Sequence, residues 1–221
     1  MAPVVNYIAL LCSGMMTVVL ACGSNPFSSE EDNASAIIFT SFRTGDGEIY
    51  QMTNSGDDLM NLTNHPGHDT SPGWSPDRQR IVFTSTRDSL AGSNLYIMNA
   101  DGSSVSQLTH IPGSIFGADW SPDGTQIAFS NTMDLLTIQR DGTGLTFVTD
   151  DSLTEDSTPD WSPDGRQIAF TRISNDNTPR RIMVMNADGS NQVTLAEVAN
   201  GFPRWSPDGK KYFLLPFKMA V

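Results

Sequence analysis

The 221-residue chain carries 25 Asp and Glu against 13 Lys and Arg, a formal charge of −12. Such a field repels nucleic acid and anionic lipid headgroups and favours a neutral or cationic partner. Charged residues make up 17% of the chain and hydrophobic ones 38%, with 18 Gly and 13 Pro, a mixture that suits short strands joined by tight turns and excludes a protein of long helices.

The first element in chain order reads as an address. From Val4 to Ala21 no side chain is charged, and the run from Ile8 to Leu20 has the length of a signal-peptide core. It ends at Val19-Leu20-Ala21-Cys22, which resembles a bacterial lipobox, so the resemblance implies that residues 1–21 are removed and Cys22 is lipidated. No Lys or Arg precedes the apolar run, a departure from the usual positive start. A plain transmembrane anchor or uncleaved signal is the other reading, and either places the rest of the chain outside the cytoplasm. Residues 22–35 are rich in Ser, Asn, Gly and acidic side chains, too polar for a core and expected to form a tether. Cys12 and Cys22 are the two cysteines, so no disulfide is expected beyond them.

From residue 36 the chain repeats itself. Trp74, Trp120, Trp161 and Trp205 each begin Trp-Ser-Pro-Asp, followed by Arg78, Gly124, Gly165 and Gly209, so the motif recurs every 41 to 46 residues. Pro presets the turn, Asp bonds nearby amides and Gly permits the exit. The turn is expected to join a short inner strand ending at the tryptophan to a second strand such as Gln126-Ile127-Ala128-Phe129-Ser130. There Ile127 and Phe129 face one side and Ala128 the other, as sheets stacked on both faces require. Third strands are expected at 48–52, 95–98, 135–138 and 181–185. They lead into turns such as Asn99-Ala100-Asp101-Gly102-Ser103, Arg140-Asp141-Gly142-Thr143 and Asn186-Ala187-Asp188-Gly189-Ser190, whose Asp-Gly pairs favour hairpins. Outer strands are expected at 61–63, 107–109, 147–149 and 193–195.

Together these motifs resemble the WD40-like repeat of TolB-type β-propellers over about residues 36 to 214. The fold expected is therefore all-β, with four to five blades in residues 36–215, a tail at 216–221, and an incomplete ring beside the six blades usual in that family. The chain enters on a second-type strand, Ala36-Ile37-Ile38-Phe39, so the strand ending at Trp205 could close a four-bladed ring. Lys211 to Pro216 starts a further strand that such a ring would leave without partners, which favours a truncated propeller or open arc with an edge for self-association.

In a propeller the strand before each tryptophan lines the channel. Asp69 and Asp156 stand five positions before their tryptophans, Asp119 and Asp160 one position before, and Arg204 fills the latter slot in the last unit. They form a candidate acidic channel mouth, or else carboxylates that cap local turns. Arg43 and Arg87 each follow a strand phenylalanine by four residues and are expected to be solvated or blade-bridging. His65-Pro66-Gly67-His68-Asp69 clusters two metal-type ligands, but Ile111-Pro112-Gly113-Ser114-Ile115 has the same length without one, so the segment reads as a connector and no metal or other cofactor is expected. No nucleophile elbow, P-loop or His-Glu-x-x-His motif occurs, and no catalytic residue is assigned. The resemblance implies a non-enzymatic envelope lipoprotein, in the periplasm or at the cell surface, that binds a protein or peptide and no nucleic acid. A channel lyase or glycan-processing enzyme, and a fragment of a larger propeller, are the alternatives.

Overall fold

The protein is seen in a computed structural model that describes residues 36–88, 92–175, 178–198 and 201–215, and every regular element among them is a strand. The expected signal peptide, Cys22, the tether and the tail lie outside the described residues.

Each Trp-Ser-Pro-Asp motif does fold as a hairpin turn between antiparallel strands. The first sheet holds β1 (Ile37–Ser41), β2 (Glu48–Met52) and β3 (Met60–Asn61). The second holds β4 (Asp69–Trp74), β5 (Arg80–Ser85), β6 (Asn94–Asn99) and β7 (Ser106–Gln107). The third is β8 (Phe116–Trp120), β9 (Gln126–Ser130), β10 (Leu135–Gln139) and β11 (Thr146–Phe147). The fourth is β12 (Thr154–Trp161), β13 (Gln167–Ser174), β14 (Arg180–Asn186) and β15 (Val193–Val198), and the fifth pairs β16 (Phe202–Trp205) with β17 (Tyr212–Leu215).

The alternation within each second strand builds the core between sheets. Ile81 and Phe83 of β5 pack with Ile49 and Leu62 of the first unit, whereas Val82 between them joins Ile127 and Phe129 of β9. One step on, Ala128 of β9 turns away from Ile127 and Phe129 to meet Trp161, Ile168 and Phe170. Every central strand is thus apolar on both faces, and the sheets stack face to face as successive blades.

The outer strands end earlier than expected. β3, β7 and β11 have two residues each, because only half of the next ladder step is made by backbone: the N–H of the buried Leu62, Leu108 and Val148 donates to the carbonyls of Ile49, Leu95 and Leu135, whereas the hydroxyls of Thr63, Thr109 and Thr149 accept the N–H of those same residues at 3.0, 2.9 and 2.9 Å. In the fourth unit Ala196 occupies that place, no hydroxyl can substitute for the ladder, and β15 continues through a bulge to Val198.

The closed four-bladed ring does not form. β16 is hydrogen-bonded to β17 and β1 to β2, with no pairing between β16 and β1. The physical reason is local: the Ser206–Asp208 turn brings β17 back onto β16 over a few residues, a closure far less costly in chain entropy than one spanning the whole repeat array. Three complete blades flanked by two partial ones make an incomplete TolB-type propeller.

Candidate functional site

Four inner strands, β4, β8, β12 and β16, lie side by side along the inner wall. In the first three the pairing register skips midway, at Thr70/Gly73, Phe116/Asp119 and Ser157/Asp160. The skip places Ser71, Gly117 and Thr158 at φ values of 54°, 57° and 54°. This bulge bends each strand and re-aims the residues before the tryptophan. Ser71, Pro72, Gly117, Ala118, Thr158 and Pro159 thereby face, with Phe202, Pro203 and Arg204, a recess of 300 Å3 on the inner wall.

The re-aimed carboxylates reach the neighbouring blade. Asp119 Oδ2 accepts the backbone N–H of Trp161 at 2.7 Å, and Asp160 Oδ2 accepts that of Trp205 at 2.6 Å. Each is a stitch from one inner strand to the next, across 42 and 45 positions of sequence rather than within a turn. Arg204 Nη1 meets the second oxygen of Asp160 at 2.5 Å. Gly73, at the same position in the second unit, has no carboxylate, and there the Trp120 indole donates to its carbonyl at 3.3 Å.

Asp69 and Asp156, five residues before their tryptophans, are buried and held within their own sheets. Arg87 reaches Asp69 at 2.6 Å, and Arg172 grips Asp156 through two bonds of 2.7 Å. In the third unit the corresponding residue is Ile115, buried in the core beside Val82 and Ile127. Position five therefore accepts either a paired carboxylate or a hydrocarbon, and its chemistry is that of packing. Arg43, by contrast, is exposed, bonding Ser41 and lying 4.6 Å over the Tyr50 ring, so neither Arg43 nor Arg87 bridges two blades.

The four carboxylates do not make a free acidic funnel. Three carry an arginine partner, and burial pushes the carboxyl of Asp119 up to about 7, with Asp160 adding to the rise and the Trp161 amide opposing it. A carboxyl titrating there has the poise of a catalytic acid, yet its oxygen is engaged by a backbone amide inside the wall. The connector histidines are likewise occupied: His65 Nδ1 accepts the N–H of Gly67 and His68 Nδ1 that of Gly47, each at 3.0 Å, as turn-forming groups do.

What the residue pattern missed lies at the connector end of the sheets, where outer strands cross to inner ones. Phe42 and Leu153 stand 61% and 70% exposed there. Neither belongs to a repeated position, so no period could mark them. Arg172 was missed as a partner because it follows its strand phenylalanine by two residues, whereas Arg87 follows by four.

The TolB beta propeller domain family matches residues 7–209. No curated protein matches the chain. Among solved structures, a TolB-like protein from Agrobacterium tumefaciens is 27% identical, with a TM-score of 0.73 over 85% of this chain and 73% of its own. TolB from Acinetobacter baumannii is 19% identical, TM-score 0.67, over 81% of this chain and 45% of its own, so this chain spans less than half of that protein. An oligogalacturonate lyase from Vibrio parahaemolyticus, 14% identical with a TM-score of 0.55 over 78% and 50% of the two chains, shares the fold alone. By the extent of the family match and the geometry of its repeats, the chain belongs to the TolB beta propeller domain family.

Proposed function

We propose that the chain is a non-enzymatic, exported lipoprotein, anchored through Cys22 in the cell envelope, whose connector loops bind a protein or peptide partner. The observation that carries this reading is a contrast of environment. The four inner-wall aspartates are engaged in ion pairs and inter-blade bonds, whereas Phe42 and Leu153 present apolar side chains to solvent at the connector end. Exposed apolar side chains on loops carried by a rigid scaffold are the usual anchors of recognition, and a charge of −12 favours a cationic or neutral partner.

The test places a photo-cross-linking residue at 42 or 153, with position 101 on the opposite face as control. A discrete protein adduct from 42 and 153 that is absent from 101 is expected, and equal or no labelling at all three would count against the reading. Anchoring is tested separately: Cys22→Ala should abolish incorporation of labelled palmitate and release the protein from membranes, and retention of both would refute lipidation.

A second reading, favoured by the two-stranded fifth sheet, is that these blades belong to a longer propeller. Further Trp-Ser-Pro-Asp-Gly repeats in the adjoining coding sequence would establish it, and their absence would dismiss it.

A further inference from the structure

One strand position carries a hydrogen-bonded hydroxyl near the connector end of the sheets: the residue directly after the strand phenylalanine. Thr40, after Phe39, accepts the N–H of Ser71 at 3.1 Å and joins the first sheet to the second. Ser130, after Phe129, donates to the carbonyl of Phe116 at 2.9 Å. Thr171, after Phe170, shares a 3.0 Å bond with Thr158. Thr84, after Phe83, holds the same position in the second sheet, and its buried hydroxyl has no partner among the described residues. An unpaired buried hydroxyl is costly, and three sister positions show how readily this one is satisfied.

At this level the second and third sheets part, leaving a cleft of 320 Å3. Six hydroxyl side chains line it, Thr84 and Ser71 among them, and none of the described lining residues is Asp, Glu, Lys or Arg. His68 is on the wall; its Nδ1 accepts the Gly47 N–H, so the neutral ring carries its proton on Nε2 as a donor. At the rim stands Phe116, 53% exposed although it begins an inner strand.

We infer that this cleft between the second and third sheets binds a neutral saccharide, with Phe116 against the C–H face of a sugar ring and Thr84 among the hydroxyls that bond its alcohol groups. Hydroxyl side chains both donate and accept, as sugar alcohols do, and a wall without charge offers nothing to a carboxylate or ammonium ligand. The volume is at the small end of ligand pockets. A peptide is the competing occupant. The inference stands apart from the protein-binding reading, which rests on Phe42 and Leu153.

The test is calorimetric titration of the full chain with maltotriose, cellotriose and triacetylchitotriose, beside trigalacturonate and the peptide Gly-Ser-Ala-Gly. At least one neutral trisaccharide should bind. Phe116→Ala should weaken it about tenfold, and Thr84→Val should weaken it by about the same factor while melting no lower than the parent protein, because a lone hydroxyl has been removed from the core. That combination, equal or better folding with poorer binding, separates a ligand contact from a packing role. No binding by any neutral trisaccharide, binding indifferent to both substitutions, or stronger binding of the peptide or of trigalacturonate would overturn the inference.

Discussion

The two ends of each blade are built on opposite principles. At the turn end every unit repeats the same device: Ser75, Ser121, Ser162 and Ser206 donate to Asp77, Asp123, Asp164 and Asp208 at 2.6 to 2.7 Å. Each serine oxygen in turn accepts an N–H at or one residue before the start of the next strand, and each aspartate the amide between. These bonds hold all four carboxyls below their usual range, the serine being the leading cause. At the connector end the units diverge: Asp69 and Asp156 pair with arginines drawn from different positions, Arg87 and Arg172, and the third unit buries Ile115 instead. Uniform chemistry specifies the fold, and the individual chemistry is where one propeller can differ from the next.

The comparison breaks most visibly if a connector solution is dismantled. Arg87→Ala leaves the fully buried Asp69 carboxylate unpaired and should destabilise by about 3–5 kcal/mol, read as a urea midpoint. Transplanting the third unit's answer, Asp69→Ile with Arg87→Met, should recover most of that loss, since a packed hydrocarbon can replace a buried pair.

Next in size is a pH effect at Asp119. Its folded-state pKa is raised, so its contribution is complete below about pH 4 and is lost as the pH climbs through about 7. Asp119→Asn keeps an oxygen for the Trp161 amide and cannot ionise. It should match the parent protein at pH 4 and be more stable at pH 8, by roughly 3–4 kcal/mol, measured by thermal melting at both values.

The turn end should yield smaller and interchangeable losses. Ser121→Ala strips the acceptor from the Gln126 N–H and should cost about 1 kcal/mol, with Ser162→Ala alike. A twofold difference between the two would break the claim of uniformity. The smallest effect sharpens it. Gly124, Gly165 and Gly209 take positive φ with the proline of the preceding turn close above, Pro76, Pro122 and Pro163. Arg78 adopts a positive φ there too, 57°, with its guanidinium 5.4 Å over Trp74 and reaching the carbonyl of Ala36. Arg78→Gly should relieve the backbone and lose those contacts, for a net gain of about 0.5 kcal/mol in the same melts.

The period, the turns and the two-sided strands were legible from the sequence because each depends on residues within one repeat. Ala128 between Ile127 and Phe129 already announces a strand covered on both faces. The outer strands were misplaced by a residue or two because Thr63 and its counterparts look like strand formers, and only the geometry shows their hydroxyls taking over from the ladder. The inner-wall carboxylates were recognisable as a set, yet their partners were not. The bond from Asp119 to Trp161 depends on a bulge at Gly117 and on which strand lies alongside, and neither is written in the local pattern.

The central claim is that the inner-wall aspartates join blade to blade. Amide hydrogen exchange at Trp161 and Trp205, in the parent protein and in Asp119→Ala and Asp160→Ala, tests it most directly. Both amides should be protected like core strands, with Trp161 losing protection in the first variant and Trp205 in the second. Fast exchange in the parent protein, or protection unchanged when the carboxylate is gone, would contradict the account and return those aspartates to the channel as groups free to bind.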